Sequence, residues 1–371
     1  MTNLEPTTDT TPAAPSDYLI DAQSITVSYP KDHGQQVILN DIDLHVSKGE
    51  FVTVVGASGC GKSTMLSLIL GSAKPTSGTV TVAGKQVERV DRDRGIVYQT
   101  YTLFKHLTVL DNIALGLMLE QTTVIEKLLV SPLLLLESIF DSLLLPLFTA
   151  ITRRVKGAAT EQEKALAEPL AFCRALKWLH YFKVRKEARR AAGELLLDIG
   201  LTAADGDKYP GELSGGMRQR VAIAQSVIMR PQILLMDEPF GALDSNRRKV
   251  MQDFIHDQWK KYGLTIFFVT HDLEEAVKLG TRLICLSQYW SGPNGEAAVG
   301  AKIVVDRKVM GGDIMPTTFA RQKEFIDLVD TINTMGLSKA ILPMADFDLS
   351  HPDAITNRNS DHTATAKQEQ S

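Results

Sequence analysis

Cysteine is scarce in this 371-residue chain: Cys60, Cys173 and Cys285 lie far apart, in no metal-ligand spacing. An odd number so placed argues against a disulfide framework and points to a reducing compartment. Basic excess is missing too, since 40 Lys and Arg stand against 44 Asp and Glu for a net charge of -4. No nucleic-acid partner is therefore expected, although a local basic patch can hide in a balanced total. The stretch Met1 to Asp17 has neither a basic start nor an apolar run, so it is not read as a secretory signal. Residues 1–17 and 346–371 are poor in groups to bury and are expected to be disordered tails. No internal repeat is visible. With 44% hydrophobic and 23% charged residues the remainder excludes a disordered or collagenous chain and allows one large domain or two to three smaller ones.

An unbroken membrane span is also lacking. Leu128 to Phe148 is about long enough, but Pro132, Glu137, Asp141 and Pro146 interrupt it. From Ile151 to Arg190 there are 11 Lys and Arg against 4 Asp and Glu. A greasy segment followed by a basic one suits a cytoplasmic membrane interface or the foot of a membrane partner. It equally suits a helical subdomain with its own small core.

What is present is β-like alternation at Ile25, Val27 and Tyr29 and again at Ile42, Leu44 and Val46, then the continuous apolar run Phe51 to Val55. Alternation fits strands with one wet face, and a β-branched run fits a strand buried on both faces, so Phe51 to Val55 is expected to be central. Ile233 to Met236 and Thr265 to Val269 read as further buried strands, each followed by a helical pattern. The whole is α/β, a largely parallel sheet with an antiparallel portion on its N-terminal side.

Directly after the first buried strand stand Gly56, Ala57, Ser58, Gly59, Cys60, Gly61, Lys62, Ser63 and Thr64, matching G-x-x-x-x-G-K-[ST], and then the apolar helical run Met65 to Leu70. Glycines let backbone N–H groups turn around phosphate oxygens, and the helix N-terminus adds its positive end. Lys62 then reaches the β- and γ-phosphates and the Ser63 hydroxyl binds Mg²⁺. Cys60, close to that helix start, is expected to favour its thiolate. At the end of a later strand, Asp237 suits the Mg²⁺ shell and Glu238 suits a general base.

Leu213-Ser214-Gly215-Gly216-Met217-Arg218-Gln219-Arg220, 23 residues before Asp237 from its serine, resembles the signature sequence of ABC-type ATPases. The resemblance covers about Tyr18 to Ser287, the middle insertion excepted. It implies a P-loop NTPase core of the ABC type with an antiparallel β subdomain, a helical subdomain and a helical insertion. The expected organisation is an ATPase domain over 18–345, with residues 120–183 inserted. Further roles come from the family: Tyr29 stacks on adenine, Gln99 touches Mg²⁺ or the lytic water, Asp244 lies at the dimer interface, and His271 contacts the γ-phosphate. Ser214, Gly215 and Gly216 grasp ATP held by the phosphate loop of a second copy.

Stretches such as LTVLDNIALGL, LLMDEPFGALD and VTHDLEEAV look most like ATP-binding subunits of bacterial importers for nitrate, taurine and aliphatic sulfonates. That group implies ATP and Mg²⁺ as cofactors, a separate membrane permease, a periplasmic binding protein, and a peripheral position on the cytoplasmic face of the inner membrane. Two features depart from it: the long gap between Gln99 and Ser214, and the region beyond Ser287. The alternative is a soluble ABC-type ATPase of DNA repair or translation. The first inserts sustained heptads and the second carries two ATPase halves, and neither is seen here. A simple nucleotide kinase leaves the signature unexplained.

Overall fold

The computed structural model describes residues 18–31, 34–100, 103–125, 182–309 and 319–354. The chain divides into two compact units, Met1–Gln99 with Pro231–Gly241 and Ile255–Ser371, and Thr100–Arg230 with Ala242–Phe254.

The first unit opens with β1 (Ile20–Lys31) and β2 (Gly34–Val46), whose alternating residues bury Ile25, Val27, Ile42 and Leu44 and leave the other face wet. They pair antiparallel, and a four-stranded sheet follows from two later strands, β4 (Ser77–Val82) and β5 (Lys85–Gln86), in the order β2-β1-β4-β5. This is the antiparallel portion expected on the N-terminal side. Between them in sequence, β3 (Phe51–Gly56) is buried along its whole length and leads into α1 (Lys62–Leu70).

The second sheet adds β6 (Arg94–Val97), β7 (Ile233–Asp237), β8 (Thr265–Val269), β9 (Arg282–Ser287) and β11 (Lys302–Lys308), in the order β11-β9-β3-β8-β7-β6. All its pairings are parallel except β11 with β9. β3 therefore has neighbours on both sides and is buried on both faces, with Thr53 the one polar side chain among its apolar ones. One core under the sheets gathers Leu39, Val54, Leu66, Ile69, Leu235 and Phe267. Between β9 and β11, β10 (Trp290–Ser291) makes a short parallel pair with β12 (Leu342–Pro343).

At the starting end of β9, Arg282 is fully buried, donating to both Asp306 oxygens at 2.8 and 2.7 Å and lying 3.3 Å from Glu50. Burial alone disfavours its charge, but the two carboxylates outweigh that and hold the guanidinium pKa above its ordinary value. Residues 346–354, expected from their polarity to open a disordered tail, are instead held against the sheet. Asp348 exchanges backbone hydrogen bonds with Val304 and Asp306, and the His351 N–H donates to the Asp306 carbonyl. An exposed sheet edge offers unpaired backbone groups, and this short segment takes them up, which polarity of sequence does not reveal. Residues 355–371 and 1–17 lie outside the described residues.

In the second unit, α2 (Val109–Ile125) is followed, after the insertion, by a helix over residues 182–198, here α3, and by α4 (Gly215–Val227). Asp111 joins α2 to α3 by ion pairs to Arg189 at 2.7 Å and Arg185 at 3.2 Å. Both ends of the segment 120–183 are thus helical where described; the apolar stretch Leu128 to Phe148 and most of the basic one lie outside the described residues. α5 (Ser245–Tyr262) starts in this unit, capped by Asp244, whose Oδ1 accepts from the Arg247 N–H. Among the described residues no helix is long and apolar enough to cross a membrane. Among the described residues the remaining α-helices are α6 (Leu273–Leu279) and α7 (Phe319–Ile332), both in the first unit.

Candidate nucleotide site

Parallel pairing brings the C-terminal ends of β3, β7 and β8 to one edge of the sheet, the edge where open α/β sheets bind ligands. β3 ends in the glycine loop. Gly61 caps α1 with φ of 97°, and a Cβ there would lie 2.7 Å from Leu39 Cδ2, so only glycine fits. Gly56 is equally constrained, because a side chain would run into the Leu286 carbonyl and the Cys60 sulfur. Lys62, largely buried, arches back and donates to the Gly56 carbonyl at 2.8 Å and the Ala57 carbonyl at 3.0 Å. The loop thus carries a cation at its centre with Ser63 and Thr64 opening the helix.

Cys60 departs from expectation. Its side chain is 1% exposed, and burial pushes the thiol above its usual pKa, outweighing the nearby Lys62 charge and backbone donors. Packing against the Gly56 backbone puts the sulfur inside the loop, where desolvation of a thiolate exceeds what a helix N-terminus returns.

β7 ends at Asp237, and Glu238 follows with φ of 49°, left-handed backbone that a non-glycine residue adopts at some cost. The Glu238 N–H donates to the Val269 carbonyl at 3.0 Å, and the Gly241 N–H donates to the Glu238 carbonyl at 3.3 Å, which holds the turn. Its carboxylate is met from two directions: Gln99 Nε2 donates to Oε2 at 2.8 Å, and His271 Nδ1 lies 3.0 Å from Oε1. Gln99 comes from just beyond β6 and His271 from just beyond β8, the strands on either side of β7. Two residues far apart in the sequence thereby converge on the Glu238 carboxylate. Tyr29 lies on β1, opposite Gln36, and is 46% exposed.

The remaining expected residues belong to the second unit. Ser214 is the N-cap of α4, its Oγ accepting from the Met217 N–H at 3.3 Å, and Gly215 and Gly216 form the first turn. A Cβ on Gly216 would sit 3.0 Å from Leu243, so the glycine permits close approach of the 242–244 loop. Gln219, buried on the same helix, accepts from the Ala242 N–H at 3.2 Å. In the sequence Gln219 stands only as the glutamine of the signature, with no role of its own; its burial is the sign of its structural use. Asp244 then caps α5 and pairs with Arg247 at 3.4 Å. Among the described residues no cluster of three or more His, Cys, Asp or Glu forms a metal cage.

A glycine-rich strand-to-helix loop with a central lysine, beside a strand-end carboxylate pair, defines a P-loop nucleoside triphosphatase. Residues 39–241 match the family described as ABC transporter, and the chain belongs to that family. It is an ATP-hydrolysing cassette of the α/β P-loop class. The Bicarbonate transport ATP-binding protein CmpD of Synechocystis sp. is 30% identical over 316 residues, 84% of this chain and 85% of that protein. The Nitrate import ATP-binding protein NrtD of Synechocystis sp. is 36% identical over 254 residues, 68% of this chain and 72% of that one. The Nitrate import ATP-binding protein NrtC of Synechococcus elongatus is 33% identical over 309 residues; they are 83% of this chain but 35% of NrtC, so the chain spans about a third of that longer relative. Among solved structures, the ATP-binding cassette MJ0796 in a dimeric post-hydrolysis state with ADP and Pi aligns with a TM-score of 0.54 and 25% identity, covering 79% of this chain and all of that one.

Proposed function

We propose that this chain is the ATP-hydrolysing subunit of a bacterial importer for a small anionic solute such as nitrate, taurine or a sulfonate. The relatives named for nitrate and bicarbonate import support the anionic class. The observation that carries the hydrolytic part is the convergence of Gln99 and His271 on Glu238 at the sheet edge beside the lysine loop. Two copies pair head to tail. Each ATP lies between the loop Gly56 to Thr64 of one copy and Ser214, Gly215 and Gly216 of the other, with Asp244 at the shared interface and adenine stacked on Tyr29.

In this reading Glu238 takes a proton from water as its oxygen attacks the γ-phosphorus and the bond to ADP breaks. His271 steadies Glu238 and the γ-phosphate, and Lys62 leaves its loop carbonyls for phosphate oxygens. The Ser63 hydroxyl, the Asp237 carboxylate and the Gln99 amide oxygen are hard donors that suit Mg²⁺, and the Gln99 amide nitrogen, turned to Glu238, leaves the oxygen end for that role. Mg²⁺ held there supplies neutralisation of phosphate charge. Loss of the γ-phosphate bridge then lets the copies part, which is the working stroke.

A separate permease carries the solute and a periplasmic binding protein delivers it, the ATPase staying peripheral on the cytoplasmic face of the membrane. We assign the ATPase domain to 18–345, extended to Ala354 by the docked segment, with 120–183 as an insertion. The test is purification of the tagged full chain from detergent-solubilised membranes. A co-eluting permease, whose binding protein takes an anion, is expected; elution with ribosomes or DNA contradicts the transport reading.

A further inference from the structure

We propose that Glu275 is a positioning residue for His271: its buried carboxylate, through the Thr270 hydroxyl, fixes the turn that presents the imidazole to Glu238. The inference rests on the assignment of His271 to the hydrolytic site made above.

The His271 side chain is 69% exposed, so packing does not hold it; its direction is set by the turn between β8 and α6. Two residues near it in the chain are buried, Thr270 just before it at 4% and Glu275 one helical turn on at 7% exposure. The Thr270 N–H continues the β8–β3 ladder by donating to the Val54 carbonyl at 3.2 Å. A threonine hydroxyl has one proton, and here it is donated to Glu275 Oε2 at 2.6 Å. That orients the oxygen lone pairs to accept the Asp272 N–H at 3.0 Å. Asp272 in turn caps α6, its Oδ1 accepting the Glu275 N–H at 3.1 Å.

The spacing Asp272-x-x-Glu275 is that of a capping box, in which the glutamate side chain returns to the backbone N–H of the cap residue. Here the Asp272 N–H is met by Thr270 Oγ1 instead, and the glutamate takes the threonine hydroxyl. The hydrogen bonds therefore bracket His271 on both sides and tie it to a β-strand before and a helix after. An imidazole 3.0 Å from a carboxylate has little tolerance for drift, and a shift of about 1 Å away from such geometry costs on the order of a hundredfold in rate.

The experiment measures ATP hydrolysis and fluorescent-nucleotide binding by the full chain for Glu275→Ala, Glu275→Gln, Thr270→Val, His271→Ala and the double variant Glu275→Ala/His271→Ala. Glu275→Ala and Thr270→Val are each expected to lower kcat by about ten- to a hundredfold while nucleotide affinity stays within about twofold. Glu275→Gln restores most of the loss, because its amide oxygen still accepts the hydroxyl. In the His271→Ala background, Glu275→Ala costs nothing further. An equal additional loss in that background overturns the proposal, as does a wild-type rate in Thr270→Val, which keeps shape without the hydroxyl should Glu275→Ala fold poorly. A normal rate in His271→Ala removes the assignment of His271 itself; a slow Glu275→Ala beside it then overturns the relay separately, since no positioned imidazole is left to explain it.

Discussion

Gln99 Nε2 donates to Glu238 Oε2 at 2.8 Å across 139 residues of sequence, while His271 Nδ1 stands 3.0 Å from the other oxygen of the same carboxylate. Glu238 is thus oriented from both sides on a left-handed turn held to the Val269 carbonyl. Replacing Glu238 by Gln keeps the shape but removes the base. Phosphate release is expected to fall by about 10² to 10⁴, with ATP binding retained, as measured by release kinetics beside equilibrium nucleotide binding. A variant that turns over normally excludes Glu238 as the base.

Cys60 gives a prediction of the opposite sign to the one its position beside a helix start suggests. Because burial raises its pKa, the thiolate fraction at pH 8 is below that of an ordinary thiol, and alkylation by iodoacetamide is expected to be slow. The labelling rate, followed against pH by mass spectrometry, should still be climbing above the pH where free cysteine levels off. MgATP should slow it further. Labelling as fast as that of a free thiol contradicts the buried sulfur.

Asp111 links α2 to α3 through Arg189 and Arg185. Burial alone raises its pKa, yet the hydrogen bond and charge of Arg189, with Thr108 and Arg185, outweigh that and leave the folded-state pKa below the ordinary value. A depressed carboxylate stabilises the fold above its unfolded pKa of about 3.9, and this contribution disappears as the pH falls through the lower folded value. Asp111→Asn is therefore expected to lose on the order of 1–2 kcal/mol at pH 7, the solvent around the arginines moderating the loss. In chemical unfolding the gap between variant and wild type should close below about pH 4, as the carboxylate of the wild type is protonated. A gap that is constant with pH assigns the loss to packing instead.

Much of this was legible in order along the chain, because the glycine loop, its strand and its helix are contiguous. Phe51 to Val55 announces a two-sided burial that the sheet provides, and Gly61 needs its positive φ whatever lies around it. Other features depend on partners far away. Arg282 breaks the apolar look of β9 and reads as polar until Asp306 and Glu50 are placed against it. Asp348 looks like tail sequence until the free edge of β11 is seen to need its backbone. The burial of Cys60 depends on the closeness of Gly56 and Leu286, a contact between loop and neighbouring strand that motif spacing does not encode.

The central claim is that ATP is hydrolysed between two copies, Lys62 from one and Ser214 from the other, 152 residues apart in the chain. Lys62→Ala and Ser214→Arg should each abolish hydrolysis when pure. Mixing the two inactive proteins creates heterodimers in which one of the two sites joins the intact lysine loop of one copy to the intact signature of the other. The expected result is recovered ATPase activity that peaks at an equimolar mixture; a mixture as inactive as its components shows that each ATP is served by a single chain.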